Sequence, residues 1–171
     1  PKRNLNQASW YPALVKKQAF SYLCLTRENS DTQEKEIYFR QAEKLLLKLV
    51  GMKGEAEEGV IELSRAYLEH ARVLHKPKYF EKAESLLTDE RFDFSNEQKG
   101  ESLLLRAEAS DSFSFRESLF RSLFEDSDLD DTLVRKKAFF YQGVNHMMHA
   151  REEVPAEAKV FWEQADRYFT F

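Results

Sequence analysis

The sequence predicts an all-α fold, and three observations carry this prediction. The chain contains only 5 glycines and 4 prolines in 171 residues, whereas strand-rich folds need more turn residues. Leu, Glu, Lys, Ala and Arg are abundant, and all of them favour helices. Apolar residues recur at intervals of three and four, which is the period of an amphipathic helix. This periodicity predicts eight helices, near residues 11–28, 32–50, 55–75, 77–89, 95–110, 113–125, 130–151 and 155–170.

The third helix has the clearest pattern. Val60, Leu63, Tyr67, Ala71 and Leu74 follow one another at intervals of 3, 4, 4 and 3 residues. These intervals place all five side chains on one face of a helix, and we expect that face to be buried.

Polar residues mark several helix boundaries. Asp31 followed by Glu34, and Ser95 followed by Gln98, have the spacing of a capping box. The acidic run over 125–131 separates the sixth and seventh helices, and its carboxylates suit the start of the latter.

The length of the chain suits one domain. About 42% of the residues are hydrophobic and 13% aromatic, which is enough for a substantial core. We predict one helical domain over 11–171, preceded by a loose N-terminal extension over 1–10 that is polar and lacks periodicity.

Charge and cysteine content narrow the possible functions. The chain has 26 basic and 30 acidic residues and a net charge of −4, which disfavours general binding to nucleic acids. No apolar run approaches the ~18 residues of a membrane span. The single Cys24 cannot form an internal disulfide, and we interpret it as a buried packing residue. A cytoplasmic location is slightly favoured, and an exported or periplasmic one stays open if an N-terminal signal has been removed.

The even-numbered helices share a short motif in which an aromatic residue precedes a small one by three positions. The four copies are Tyr38-Phe39-Arg40-Gln41-Ala42, Tyr79-Phe80-Glu81-Lys82-Ala83, Ser114-Phe115-Arg116-Glu117-Ser118 and Phe161-Trp162-Glu163-Gln164-Ala165. The odd-numbered helices place an aromatic residue four positions before a small one, as in Phe20–Cys24, Tyr67–Ala71 and Phe139–Gly143. A weaker member is Ala107, with Leu103 in place of the aromatic residue.

These motifs resemble the tetratricopeptide repeat, in which small residues let paired helices pack closely. The small residues of the even-numbered helices are separated by 41, 35 and 47 residues, compared with about 34 in the family. The resemblance implies a right-handed superhelix of about four helix–turn–helix repeats with a concave groove. Two alternatives remain open, namely another helical-hairpin array of the Sel1-like or HEAT-like kind and a bundle without repeats.

The resemblance also implies which residues line the groove, because the first helix of each repeat faces the concave side. These residues are Gln18 and Ser21, then Arg65, Leu68, Arg72 and His75, then Glu101, Leu104, Glu108 and Asp111, and finally Lys137, Phe140, Val144 and Met147. Arg65, Arg72 and His75 are suited to clamp an acidic tail or a C-terminal carboxylate. The alternative interpretation is that these charges form an ordinary solvated helix surface.

Motifs for catalysis and for cofactors are absent. The sequence has no phosphate-binding glycine loop and no nucleophile elbow, and we predict neither an enzyme nor a bound cofactor. His146, His149 and Glu153 share one helix face, but such a set is a weak metal signal, and we predict no metal site.

The chain is therefore expected to be an adaptor or an assembly subunit that binds a peptide or a helix of another protein. The alternatives are a chaperone for secreted or assembling proteins, similar in size to tetratricopeptide chaperones of type III secretion, and a helical enzyme or metal-binding protein with an unrecognised site.

Overall fold

A computed structural model describes residues 9–74, 76–129, 132–152 and 155–170. Within these ranges all regular structure is helical, which confirms the predicted all-α class. The α-helices are α1 (Tyr11–Glu28), α2 (Thr32–Val50), α3 (Ala56–Leu74), α4 (Lys78–Leu87), α5 (Asn96–Ala109), α6 (Phe113–Glu125), α7 (Leu133–Glu152) and α8 (Pro155–Phe169). The largest difference from the predicted bounds is at the start of α7, where a short 3-10 helix (Ser127–Leu129) comes first. None of the described helices has both the length and the apolar character needed to cross a bilayer.

The chain divides into two compact units, residues 1–93 (unit 1) and 94–171 (unit 2). Unit 1 contains α1 to α4, and unit 2 contains α5 to α8. The single domain over 11–171 and the superhelix of four repeats stay predictions. Most of the predicted N-terminal extension, residues 1–8, lies outside the described residues.

Helix α3 of unit 1 packs against both α2 and α4. Its predicted apolar face is buried at Val60, Leu63, Tyr67 and Ala71. A helix with neighbours on two sides must bury more than one face, and Leu68 is accordingly buried as well. The prediction that Leu68 lines an open groove is therefore wrong.

Unit 2 is built around an apolar cluster contributed by α5, α6, α7 and the 3-10 helix. Its buried members are Leu104, Ala107, Leu119, Phe120, Leu123, Leu129, Val134 and Ala138. Leu104 faces this core because α5 packs against both α6 and α7. The prediction that Leu104 lines a groove is therefore also wrong.

The small residues of the repeat motifs are mostly buried where helices meet. Six of the eight are buried, namely Ala42, Ala71, Ala83, Ala107, Gly143 and Ala165. Ser118 is exposed, and Cys24 is half-buried, so Cys24 is less enclosed than expected. A close contact is present at Gly143, where an added Cβ would lie 2.7 Å from the ring of Phe169. The ring of Phe169 covers this glycine where α7 meets α8.

The predicted helix starts are confirmed to different degrees. Ser95 and Gln98 form a complete capping box, in which each side chain bonds the backbone of the other residue. The Asp31 carboxylate caps α2 by accepting from the backbone N–H of Gln33 (2.7 Å) and of Glu34 (3.0 Å). The Glu34 carboxylate, however, accepts a hydrogen bond from the Asn29 amide and leaves the Asp31 capping box incomplete.

Candidate functional site

A groove of about 720 Å³ lies along α1 and α3 of unit 1, with α2 at its floor. Its apolar lining consists of Ala13, Phe20, Leu23, Leu46 and Ala66. Its polar and charged lining consists of Lys16, Lys17, Ser21, Arg27, Glu62, Arg65 and Glu69. Cavities of this size are typical of ligand and peptide sites.

Phe20 is the most exposed large apolar residue of the groove lining. Its side chain is 58% exposed, although the repeat pattern predicts that it packs between helices. Leu46 and Ala66 below it are almost fully buried. A large aromatic ring left in solvent above an apolar floor is unfavourable for a free protein, and such rings are enriched at interaction sites.

Two sets of ion pairs join α1 to α3 across the groove. Lys16 pairs with Glu58, and its Nζ lies 3.4 Å from Oε1 of Glu62. Arg27 forms a two-pronged contact with Glu69, in which Nη2 donates to Oε2 at 2.6 Å. These bridges connect α1 to α3, and the apolar floor lies between them.

Both bridging cations stay charged at neutral pH. Burial opposes the charge of Lys16, but hydrogen bonding and attraction to Glu58 and Glu62 outweigh burial and raise the pKa of its amine. The hydrogen bond to Glu69 raises the pKa of the Arg27 guanidinium, against a smaller opposing effect of burial. The positive charges of Lys16 and Arg27 therefore persist over the physiological pH range.

Among the predicted groove residues of unit 1, Arg65 and Ser21 line this groove. Arg65 is held by Glu62, with Nη1 at 2.9 Å from Oε2. Arg72 is exposed on α3 but does not belong to the groove lining. His75 lies outside the described residues. The sequence analysis did not predict that Lys16, Phe20 and Arg27 line a groove.

A sequence signal for the missed residues does exist. Ala13, Lys16, Phe20, Leu23 and Arg27 are spaced by 3, 4, 3 and 4 residues, and these intervals place them on one face of a helix. Apolar periodicity does not reveal this face, because Lys and Arg occupy two of its five positions.

The predicted partner-binding residues of unit 2 lie partly at its surface. Phe140 is 57% exposed and contacts Phe169, with ring centroids 5.8 Å apart. The residues that are at least partly exposed are Glu101, Glu108, Asp111, Lys137, Phe140, Val144 and Met147. Their role in binding a partner stays a prediction.

Unit 2 also contains a buried polar cluster centred on Glu117 of α6. Its Oε1 atom accepts hydrogen bonds from the amides of Gln142 and Asn145, the latter at 3.1 Å, and Nε2 of His146 is 3.2 Å away. Burial raises the pKa of this carboxyl group, but the hydrogen bonds and the charge attraction of His146 outweigh it, and the pKa lies below its ordinary value. Glu117 is therefore ionised at neutral pH.

The metal alternative finds no support in the described residues. His146 directs Nε2 to Glu117, and the ring of His149 stacks on Phe113 with centroids 4.1 Å apart. Glu153 lies outside the described residues. Within the described ranges no three His, Cys, Asp or Glu side chains are grouped in a way that could hold a metal ion.

Comparison with known proteins adds no family assignment. No protein-family model, curated protein or solved structure matches the chain. The tetratricopeptide pattern therefore remains a resemblance carried by the sequence motifs alone.

Proposed function

We propose that the chain is a protein-binding module that uses the α1/α3 groove of unit 1 to hold an amphipathic peptide or helix of a partner. The observation that carries this proposal is the exposure of Phe20, at 58%, above the buried floor formed by Leu46 and Ala66. An apolar partner side chain placed there would cover the ring and remove both surfaces from water.

The charges of the groove favour an acidic partner segment. The groove lining contains four cations, Lys16, Lys17, Arg27 and Arg65, and two carboxylates, Glu62 and Glu69. Both carboxylates already contact cations of the groove. The excess positive charge attracts acidic residues that flank the apolar anchor, and Arg65 supplies forked donors for a carboxylate.

A photo-crosslinking experiment in the native cell tests the groove directly. A benzophenone amino acid replaces Phe20 in the full chain, and covalent products are identified by mass spectrometry. The control places the same group at Ile37 of α2, which is equally exposed (56%) and lies outside the groove lining. The expected result is a specific product at position 20, with the linked partner peptide containing apolar and acidic residues.

Charge variants test the same groove independently. Arg65→Glu should reduce the crosslink at position 20 at least about tenfold, because it reverses one of the attracting charges. The double variant Arg65→Ala with Arg72→Ala should also weaken it while leaving the fold intact, since neither side chain is buried. Identical products from positions 20 and 37, or products that do not respond to Arg65→Glu, would contradict a role for the groove.

A further inference from the structure

The ion pairs between α1 and α3 of unit 1 show how the two walls of the groove are aligned. Lys16 pairs with Glu58 and Arg27 pairs with Glu69, and 42 positions separate the partners in both pairs. Because this separation is constant, α1 and α3 run in the same direction and keep one register between the bridges. Lys16 and Arg27 are 11 residues apart, which is about 16 Å at 1.5 Å per residue. The two walls therefore stay in register over about three helical turns.

The walls of the groove favour a helical occupant. Both walls are α-helices, and their backbone groups are bonded within each helix over most of its length, so they offer no hydrogen-bonding ladder to an extended chain. A partner helix satisfies its own backbone groups and presents only side chains to the groove. A helix that runs along α1 can therefore enter the groove without leaving its backbone groups unpaired.

Lys17 differs from the other cations of the groove lining. Lys16, Arg27 and Arg65 each contact a carboxylate of α3. Lys17 is exposed, and its ammonium group has no ion-pair or hydrogen-bond partner in the part of the chain that the structure describes. An acidic side chain of a partner can therefore pair with Lys17 without displacing a carboxylate of the protein.

Lys17 lies at the rim of the groove, one turn from Phe20. The two residues are three positions apart on α1 and share one side of the helix. Ala19 is 1% exposed and faces the interior. Residues two positions apart, such as Lys17 and Ala19, are separated by roughly 200° around a helix, so Lys17 points away from the interior. A partner side chain that covers Phe20 thus has a neighbour, one turn away, within reach of Lys17.

We propose that the groove recognises a partner helix with an acidic residue one turn, or three to four positions, from its apolar anchor. The anchor covers Phe20, and the acidic side chain pairs with Lys17. This inference rests on the proposed function of the groove, and it adds the sequence pattern of the partner and the residue that selects it. A charge at the rim acts mainly on the rate of association and on its salt dependence.

Selection of displayed random peptides of about 16 residues, or four to five helical turns, against the full chain tests the pattern. The enriched peptides should carry Asp or Glu three or four positions from a large apolar residue. Selection against Lys17→Glu should replace that acid by Lys or Arg, because the sign of the rim charge is reversed. Lys44→Glu is the control, since Lys44 is exposed on α2 outside the groove lining, and it should leave the pattern unchanged.

Binding kinetics of the most enriched peptide measure the contribution of Lys17. Lys17→Glu should weaken the peptide about three- to tenfold at low salt, mainly through slower association. The loss should shrink at about 0.5 M salt, because exposed charges are then screened. Lys44→Glu should change neither rate, and circular dichroism of both variants checks that the helices are intact.

The variant Phe20→Ala separates a failure of this inference from a failure of the proposed function. If no peptide is enriched, or if the enriched peptides bind Phe20→Ala as tightly as the unchanged chain, the groove is not the binding site and both proposals fail. If the peptides require Phe20 but carry no acid at the expected spacing, or if Lys17→Glu and Lys44→Glu select the same pattern, only the role of Lys17 is overturned. An acid two positions from the anchor, which is the spacing of an extended chain, overturns the helical occupant.

Discussion

The imidazole of His70 lies parallel to the ring of Phe39, with an interplanar angle of 4° and centroids 3.5 Å apart. The edge of Tyr79 meets the imidazole at 4.8 Å between centroids. His70 is 1% exposed, and its Nε2 is 3.2 Å from Oε2 of Glu36. The amine of Lys76 donates to the same oxygen at 2.5 Å. This arrangement favours the neutral imidazole, which stacks on Phe39 and donates one hydrogen bond.

The environment of His70 predicts that unit 1 loses stability as the pH falls below neutrality. Burial lowers the pKa of His70 despite the opposing attraction of Glu36. Because the unfolded chain then binds the proton at a higher pH than the folded chain, the free energy of unfolding decreases as the pH falls through the ordinary histidine pKa of about 6.5. His70→Gln should reduce this dependence. The measurement is the change in melting temperature between pH 7.5 and 5.5 in both proteins. Equal changes would exclude His70 as the cause.

Substitution by alanine should change the stability of the protein differently at Gly59 and at Gly143. At Gly59 an added Cβ would lie 2.7 Å from the backbone nitrogen of Val50 and 3.0 Å from its Cα, and backbone atoms cannot move aside. Gly59→Ala should therefore destabilise the protein by about 1–3 kcal/mol, which exceeds the helix-propensity gain of about 1 kcal/mol. At Gly143 the nearest atoms belong to the ring of Phe169, which is 45% exposed and can turn outward.

Gly143→Ala should accordingly be neutral or stabilising by up to about 1 kcal/mol. Urea unfolding of both variants, followed by circular dichroism, measures the difference. A smaller loss for Gly59→Ala than for Gly143→Ala would show that the close approach of α3 to the end of α2 is not as rigid as the geometry indicates.

Ala71 lies at the centre of the packed face of α3 and is 1% exposed. Ala71→Trp should destabilise unit 1 by at least about 2 kcal/mol or distort it, because a packed interior has no space for the indole. Val73→Trp is the control, since Val73 is 37% exposed on the same helix. An unchanged melting temperature for Ala71→Trp would refute the assignment of this residue to the helix contact.

The capping box at the start of α5 predicts a measurable contribution from Ser95. The hydroxyl oxygen accepts from the backbone N–H of Gln98 at 3.3 Å, and the Gln98 amide oxygen accepts from the backbone N–H of Ser95 at 2.9 Å. Ser95→Ala should cost about 1 kcal/mol of stability. Ser122→Ala removes a hydroxyl from inside α6 that bonds its own helix, and it should cost less. Equal costs would mean that the cap adds nothing to folding.

The candidate sites were only partly predictable, because local patterns do not say which side of a helix is covered. Leu68 and Arg65 are both consistent with a groove on α3, yet Leu68 is buried and Arg65 lines the groove. For Phe20 the difference runs the other way, because its motif predicts packing between helices, whereas the structure leaves the side chain exposed. The contacts of Glu117 with Gln142 and His146 join α6 to α7 across 25 or more residues of sequence, and no local spacing contains that relationship.

The sequence by itself determined the helices, because helix propensity, apolar periodicity and capping depend on neighbours within a few residues, as the Ser95–Gln98 box shows. It also identified most of the small residues at helix contacts, such as Ala71 and Gly143. Only the tertiary structure decided which helices are central, which leaves Phe20 exposed and buries Leu104. It alone brought Glu117 to His146. Burial and long-range hydrogen bonding depend on which helices pack together, and many packings are compatible with the same local pattern.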